Sequence, residues 1–282
     1  MPTTDFAPAK INLTLRIVGR RADGYHELES LVVFADVGDA LDFTPADATP
    51  LEVVGPFAAV CGRTQDNLVL KAAAALASRV QGLKGGAFRL HKRLPVASGI
   101  GGGSSDAAAA LRLLARANAM APGDTRLAEA ALAVGADVPV CLAAKACVMR
   151  GIGEVLSAPL ALPRLPAVLV NPGVATATRD VFRAFAGLHG ETMPLGEVPR
   201  AGLVEFLHAH GNDLTAAAIA CVPVIGEVID VLAALPRARL ARMSGSGSTC
   251  FALFDDSAAA AAAALDLTRA YPDWWVAATG FG

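Results

Sequence analysis

Hydrophobic and polar positions change rhythm several times along this chain, and each change marks an element. AKINLTLRIV (9–18) alternates as a half-buried strand, with Ile11, Leu13, Leu15 and Ile17 on one side and Lys10, Asn12, Thr14 and Arg16 on the other. A turn-rich GRRADGYHEL follows, with Asp23-Gly24 as a turn dipeptide. LESLVVFADVGDALDFT predicts two strands about a turn at Gly38-Asp39. Apolar residues recur at helical spacing over DNLVLKAAAALASRV (66–80), with Asp66 or Asn67 as the cap. GAFRLHKRL (86–94) alternates again, with Phe88, Leu90 and Lys92 in phase. SSDAAAALRLLARANAM returns to a helix, for which Ser104, Ser105 or Asp106 is the expected N-cap. A short helix spans 124–134 and stops at Gly135. VPVCLAAKACVMRGIGEVL then predicts two strands about Ala144-Lys145.

The proline-dense SAPLALPRLP (157–166) predicts a boundary between a first domain, 1–157, and a second, 158–282. The second opens on a strand, AVLVNPG, and continues with helical patterns at 178–188, about 212–220 and 224–235. LARMSGSGSTCFALFDD carries a second glycine–serine loop into a strand, before a helix (258–271) and a last strand around 274–278. Strands and helices mix without regular β-α-β alternation, which predicts an α+β fold in two parts.

Composition narrows the function. A chain of 282 residues fits one large or two ordinary domains, and 54% hydrophobic residues suffice for a sizeable core. Aromatics are only 5%, so alanine-rich helices are expected to pack closely through small faces. A net charge of −2 argues against nucleic acid as a partner, because that binding relies on many phosphate-neutralising Lys and Arg. The 5 cysteines are scattered without a C-x-x-C pair, which argues against a disulfide framework or zinc site and for a reducing cytoplasm. MPTTDFAPAK has no basic region leading into an apolar run, and no apolar run reaches spanning length, so no membrane partner is expected.

The chemistry centres on LPVASGIGGGSSDAAAA (94–110), a glycine-rich loop between a strand and a helix. Glycine lets the backbone take positive φ and approach a ligand closely. The first N–H groups of the helix lack internal partners and sit at the positive end of its dipole, an arrangement suited to phosphate. No Lys follows Gly103, so the P-loop pattern fails, and Ser104 stands where a dinucleotide fingerprint needs Gly. Phosphoryl transfer needs this cradle, a neutralising cation or metal, and a group that orients or deprotonates the acceptor. Lys10 and Asp137 are candidates for the last two parts. Spacing alone favours Lys10 as a solvated strand lysine and Asp137 as a turn or cap residue.

Three segments in order, PAKINL (8–13), P-x-x-x-G-I-G-G-G-S-S (95–105) and SGSGSTCFALF (244–254), resemble the signatures of the GHMP kinase family, which includes galactokinase, homoserine kinase and mevalonate kinase. RADGYHEL (21–28), GADVPV (135–140) and NPGV (171–174) resemble the member that acts on a cytidine diphosphate-linked methylerythritol. The resemblance covers essentially the whole chain. It implies a two-domain α+β fold, with an N-terminal ribosomal-protein-like domain that binds ATP and a C-terminal ferredoxin-like domain. It also implies ATP- and Mg²⁺-dependent phosphorylation of that substrate's C2 hydroxyl in isoprenoid precursor synthesis, by a monomer or homodimer.

Residue by residue, the resemblance makes Asp137 the base and Lys10 the cation that keeps it ionised. Pro95, Val96, Ala97, Ser98, Gly99, Ile100, Gly101, Gly102, Gly103, Ser104 and Ser105 match the ATP-phosphate loop, with Asn67 and Lys92 toward adenine. Tyr25, His26 and Phe182 match a cytidine pocket, with Phe185 as a rival for Phe182, and Asn12 and Thr178 match polar substrate contacts. Asp106 stands where some relatives carry Asn, as a helix-cap variant. Metal ligands are not identified. A kinase of the homoserine or mevalonate type has no need of a base-stacking pocket, and a non-catalytic nucleotide sensor of this fold would be expected to lose Lys10 or Asp137.

Overall fold

The computed structural model describes residues 3–121, 123–185 and 197–282. In chain order the elements are β1 (Thr3–Asn12), β2 (Arg16–Arg20), β3 (His26–Pro45), β4 (Leu51–Val54), α1 (Leu68–Ala77), β5 (Gly86–His91), α2 (Gly102–Ala117), α3 (Thr125–Val134), α4 (Val138–Ala143), β6 (Cys147–Gly151), β7 (Val155–Leu156), β8 (Leu165–Asn171), α5 (Thr178–Ala184), α6 (Leu203–Ala209), α7 (Thr215–Cys221), α8 (Val224–Ala233), β9 (Ala238–Met243), β10 (Cys250–Phe254), α9 (Ser257–Ala270) and β11 (Trp275–Phe281). They gather into two units that interleave along the chain. The first holds Met1–Ala9, Val37–Val96 and Gly101–Ala144; the second holds Lys10–Asp36, Ala97–Ile100 and Lys145–Gly282.

In the first unit β5 lies between β4, parallel to it, and the second half of β3, antiparallel to it. Phe43 and Phe88 face each other across the β3–β5 pair with ring centroids 5.1 Å apart. Helix α2 packs against α1 and α4. Ala107 to Leu111 are all fully buried, so α2 is covered on every side. Alanine permits this, because a small side chain lets neighbouring helices close in without a cavity. Helix α1 is capped by Asn67, whose side chain accepts from the Val69 N–H, and α3 is capped likewise by Asp124.

In the second unit the first half of β3 pairs antiparallel with β2 and β6. β11 joins β3 through Phe281 and Ala35 and runs antiparallel to β8, which pairs with β10, which pairs with β9. Val168 to Val170 and Cys250 to Leu253 are buried, and Phe251 meets Phe281 edge-on at 5.6 Å. Helices α8 and α9 pack on these strands.

Four local expectations change. The 9–18 strand breaks after Asn12, and both its sides are buried: Lys10 is 4%, Asn12 1% and Thr14 0% exposed. Thr14 is held inside because its hydroxyl accepts the Leu31 N–H at 3.0 Å. β3 runs straight through Gly38-Asp39 without turning. Gly38 is there for close approach: a Cβ would fall on the Ala7 carbonyl and within 2.7 Å of the Phe6 ring. Residues 138–143 form α4 rather than a strand, with Pro139 in its first turn, where a missing N–H costs nothing. Helix α6 adds an element that no periodic pattern had marked. Of the helix expected at 178–188, residues 186–188 lie outside the described residues. Among the described residues no helix is long and apolar enough to cross a membrane.

Replacing Gly38 by Ala should lower unfolding stability in urea by about 2 kcal/mol or more, since the new methyl meets backbone and a ring rather than a flexible side-chain end. An unchanged midpoint and slope would contradict the close β1–β3 approach.

Candidate active site

Within the second unit the three signature segments are tied together through the backbone. Lys10 N–H donates to the Ile100 carbonyl at 2.9 Å, and Thr249 N–H donates to the Ser98 carbonyl at 3.0 Å. The Ser244 hydroxyl accepts the Asn12 N–H and donates to the Gly99 carbonyl, both at 3.1 Å. Thr176 N–H donates to the Ala97 carbonyl at 3.1 Å. Glycine makes this approach possible. Gly99 has φ of +76°, and a Cβ there would lie 2.6 Å from the carbonyl oxygens of both Ser244 and Gly247. Gly245 has φ of +57°, and a Cβ there would lie 2.7 Å from the Gly99 carbonyl oxygen. The two glycine loops interlock with no room for a side chain on either.

Around this knot lie buried polar groups and, toward the surface, an aromatic group. Asn12 donates its amide to the Ser30 hydroxyl at 2.7 Å, while its Oδ1 is buried without a hydrogen-bond partner. Thr178 and Ser246 share a hydroxyl–hydroxyl bond of 2.9 Å. Asn171 donates to the Ser248 and Thr249 hydroxyls and caps the Gly173 N–H, which fastens the NPGV turn to the third signature. The His26 ring lies 5.3 Å from Phe182 at a 31° tilt and 6.0 Å from Phe185 edge-on, so both phenylalanines flank it. Tyr25 is 61% exposed, an open aromatic face beside His26. Lys10 is almost fully buried, and its ammonium opposes the burial that raises the Cys147 thiol.

In the first unit, α2 begins without any side-chain cap. Its N-cap is Gly101, left-handed at φ of +62°, so Ser104, Ser105 and Asp106 lie inside the helix rather than capping it. No N-cap side chain therefore competes for the opening amides, as an anion site requires. The Ser105 hydroxyl is already used, donating to the Pro8 carbonyl at 2.7 Å. Asn67 spends its side-chain oxygen on the α1 cap. Asp137 is half-buried at the head of α4, with Gly135 two residues before it, and makes no cap bond there.

Lys92 has its ammonium between two buried carboxylates, 2.5 Å from Asp39 and 2.7 Å from Asp106. Burial alone would lower the Lys92 ammonium, but Asp106 and Asp39 together hold it above its ordinary value. Burial pushes the Asp106 carboxyl up to about 7, against the pull of Lys92. One cation cannot neutralise two carboxylates, so the cluster reaches neutrality when Asp106 holds a proton. Asp39, Ser244 and Asn171 escaped the site expectations. Gly38-Asp39 had looked like a turn, and only the glycine beside Ser244 and the NPGV motif around Asn171 marked their surroundings. Among the described residues no group of three or more His, Cys, Asp or Glu could hold a metal ion.

Known proteins agree with this architecture. Residues 67–145 match the GHMP kinases N terminal domain, and residues 201–273 match the GHMP kinases C terminal domain. The chain belongs to the GHMP kinases, two-domain α+β enzymes that phosphorylate small molecules. Over 291 aligned residues it is 55% identical to the 4-diphosphocytidyl-2-C-methyl-D-erythritol kinase of Rhodopseudomonas palustris strain BisB18, covering 99% of this chain and 94% of that one. A crystal structure of 4-(cytidine 5'-diphospho)-2C-methyl-D-erythritol kinase superposes with a TM-score of 0.80 at 35% identity, covering 99% of this chain and 100% of the other. Homoserine kinase from Cytophaga hutchinsonii shares the fold, with a TM-score of 0.73 at 16% identity over 99% of this chain and 95% of its own.

The raised Asp106 carboxyl has a definite sign in stability. A carboxyl raised by folding contributes stability that is fully present below its ordinary value of 3.8 and lost as pH rises through about 7. Asp106→Asn removes that titration. Measured by urea unfolding, the variant should gain ~1–3 kcal/mol relative to the native chain between pH 5 and pH 8. Parallel stability profiles would contradict a carboxyl held up by burial.

Proposed function

We propose that this kinase transfers the γ-phosphoryl group of ATP to the C2 hydroxyl of 4-diphosphocytidyl-2-C-methyl-D-erythritol, in isoprenoid precursor synthesis independent of mevalonate. The observation that carries this reading is the likeness, over nearly the whole chain, to kinases named for that substrate. The interlocked glycine loops and the aromatic group at His26 give the likeness a physical basis.

In this reading the amides of Gly101 to Ser104 hold the phosphates at the positive end of α2. The uncapped start of that helix supports it. The cytosine stacks among Tyr25, His26 and Phe182, a contribution of roughly 1–3 kcal/mol per stacked base. Phe185 meets the His26 ring edge-on. Asn12, whose Oδ1 is buried without a hydrogen-bond partner, and Thr178, whose hydroxyl meets that of Ser246, supply the polar substrate contacts. Asp137 takes the proton from the C2 hydroxyl, and the resulting oxygen forms a bond to the γ-phosphorus. The bond from that phosphorus to the bridging oxygen breaks, and ADP leaves. Lys10 supplies positive charge that favours the developing alkoxide. Asp137 acts chiefly by position, since a carboxylate is a weak base. Mg²⁺ suits a site without a dense ligand cluster, because it keeps several waters and binds largely through phosphate oxygens. Bound there, it would neutralise charge on the β- and γ-phosphates; Ser104 is the loop hydroxyl that could reach it. None of the five cysteines is joined in a disulfide, which suits a reducing compartment such as the cytoplasm.

Release of ADP should be fast with the cytidylyl methylerythritol and near background with free methylerythritol, homoserine or mevalonate. A preference for any of the last three would refute the assignment. Asp137→Asn should keep ATP binding and lower kcat by ~10²-fold or more; near-normal turnover would remove Asp137 from the mechanism. Tyr25→Ala should raise KM for the cytidylyl substrate and leave that for ATP within about twofold, whereas equal effects on both would place the cytidine elsewhere.

A further inference from the structure

Lys92 presents a puzzle that the transfer chemistry does not solve. A lysine beside a nucleotide loop is expected to reach for the nucleotide, but this one is 3% exposed and its ammonium is engaged by two carboxylates. Leaving either would strand a buried charge. Its neighbours are more telling. Asp39, on β3, uses its other oxygen to accept the N–H groups of Arg93 at 2.5 Å and Leu94 at 2.9 Å, the last residues before the phosphate loop. Asp106 lies in α2, just after the loop. A Cβ on Gly102 would sit 3.2 Å from the Lys92 ammonium, so that nitrogen packs directly under the first residue of α2. Entry and exit of the loop are thus pinned to one cation.

We propose that Lys92 is a positioning residue: clamped by Asp39 and Asp106, it fixes the separation and tilt of the two ends of the glycine loop, and so the convergence of the amides that grip the triphosphate. This rests on the ATP-binding reading of that loop. A buried ion cluster is a poor source of stability, since apolar residues of equal size often do as well. What it supplies here is direction. A charge-assisted hydrogen bond holds both distance and angle, whereas an apolar contact would let α2 slide. Asp39 works through Leu94 and Lys92, and Asp106 through Lys92 alone; neither needs to touch ATP.

The test separates a residue that shapes the loop from one that touches the base. Binding of tripolyphosphate, adenosine and the β,γ-imido analogue of ATP is measured by calorimetry or competition for the native chain, Lys92→Met and Asp106→Asn. Lys92→Met should weaken tripolyphosphate and the ATP analogue by about tenfold or more, yet change adenosine, and KM for the cytidylyl acceptor, by no more than about twofold. Asp106→Asn keeps an oxygen for Lys92 and should stay within about threefold of native on every probe. Equal losses of adenosine and ATP analogue in Lys92→Met would mean direct contact with the base and overturn the proposal, as would unchanged tripolyphosphate binding. Should Lys92→Met fail to fold, Asp106→Ala severs only the helix end, and native-like tripolyphosphate binding by that variant would overturn the proposal equally. A native chain that binds neither tripolyphosphate nor the ATP analogue would instead reject the phosphate-loop reading itself.

Discussion

Everything in the second unit turns on the contact between two backbones that have no side chains to separate them. Gly99 fits under the carbonyls of Ser244 and Gly247, and Gly245 fits against the carbonyl of Gly99. The approach lets Ser244 bind both Asn12 and Gly99 and lets Thr249 bind Ser98. Segments some 90 and 145 residues apart in sequence become one rigid polar knot. A single methyl at Gly99 or Gly245 would break it, because the clash is with backbone that cannot rotate away.

On the proposed function, this knot serves positioning more than stability. Phosphoryl transfer asks little covalent chemistry of the protein and much positioning. The glycine loop is fastened at several points: Ala97 to Ile100 by the hydrogen bonds of the second unit, and Leu94 before the loop and Asp106 after it by the Lys92 cluster in the first. The two devices differ in kind. The knot is neutral and excludes side chains, so it is insensitive to pH. The cluster carries three ionisable groups on one cation's worth of compensation, and its occupancy by protons changes near neutrality.

Much of this was legible from residue patterns, within limits that have physical causes. The strand–loop–helix about residue 100 is written in local signals: alternation in β5, a glycine run, an alanine-rich helix. Asn67, one of the two candidate caps for α1, announced that helix start because capping is a contact between near neighbours. Gly38 misled because a glycine demanded by a neighbouring strand looks the same as one demanded by a turn. Residues 138–143 misled because a six-residue helix is too short to show its period, although Pro139 carried a usable sign. The Lys92 cluster was out of reach, since Asp39 lies 53 positions away and buried charge leaves no trace in periodicity. The site roles proposed for Lys10 and Asp137 rest on family resemblance, and alternation suggests a solvated face for a lysine that is in fact buried.

The central claim is that bare amides at the start of α2 hold the triphosphate. Amide ¹⁵N–¹H resonances of Gly101, Gly102, Gly103 and Ser104, followed while Mg²⁺ and the β,γ-imido analogue of ATP are added, test it directly. The account expects the largest shifts in the protein at these amides, saturating with the analogue. Saturable binding that leaves these four resonances in place while others move would contradict it.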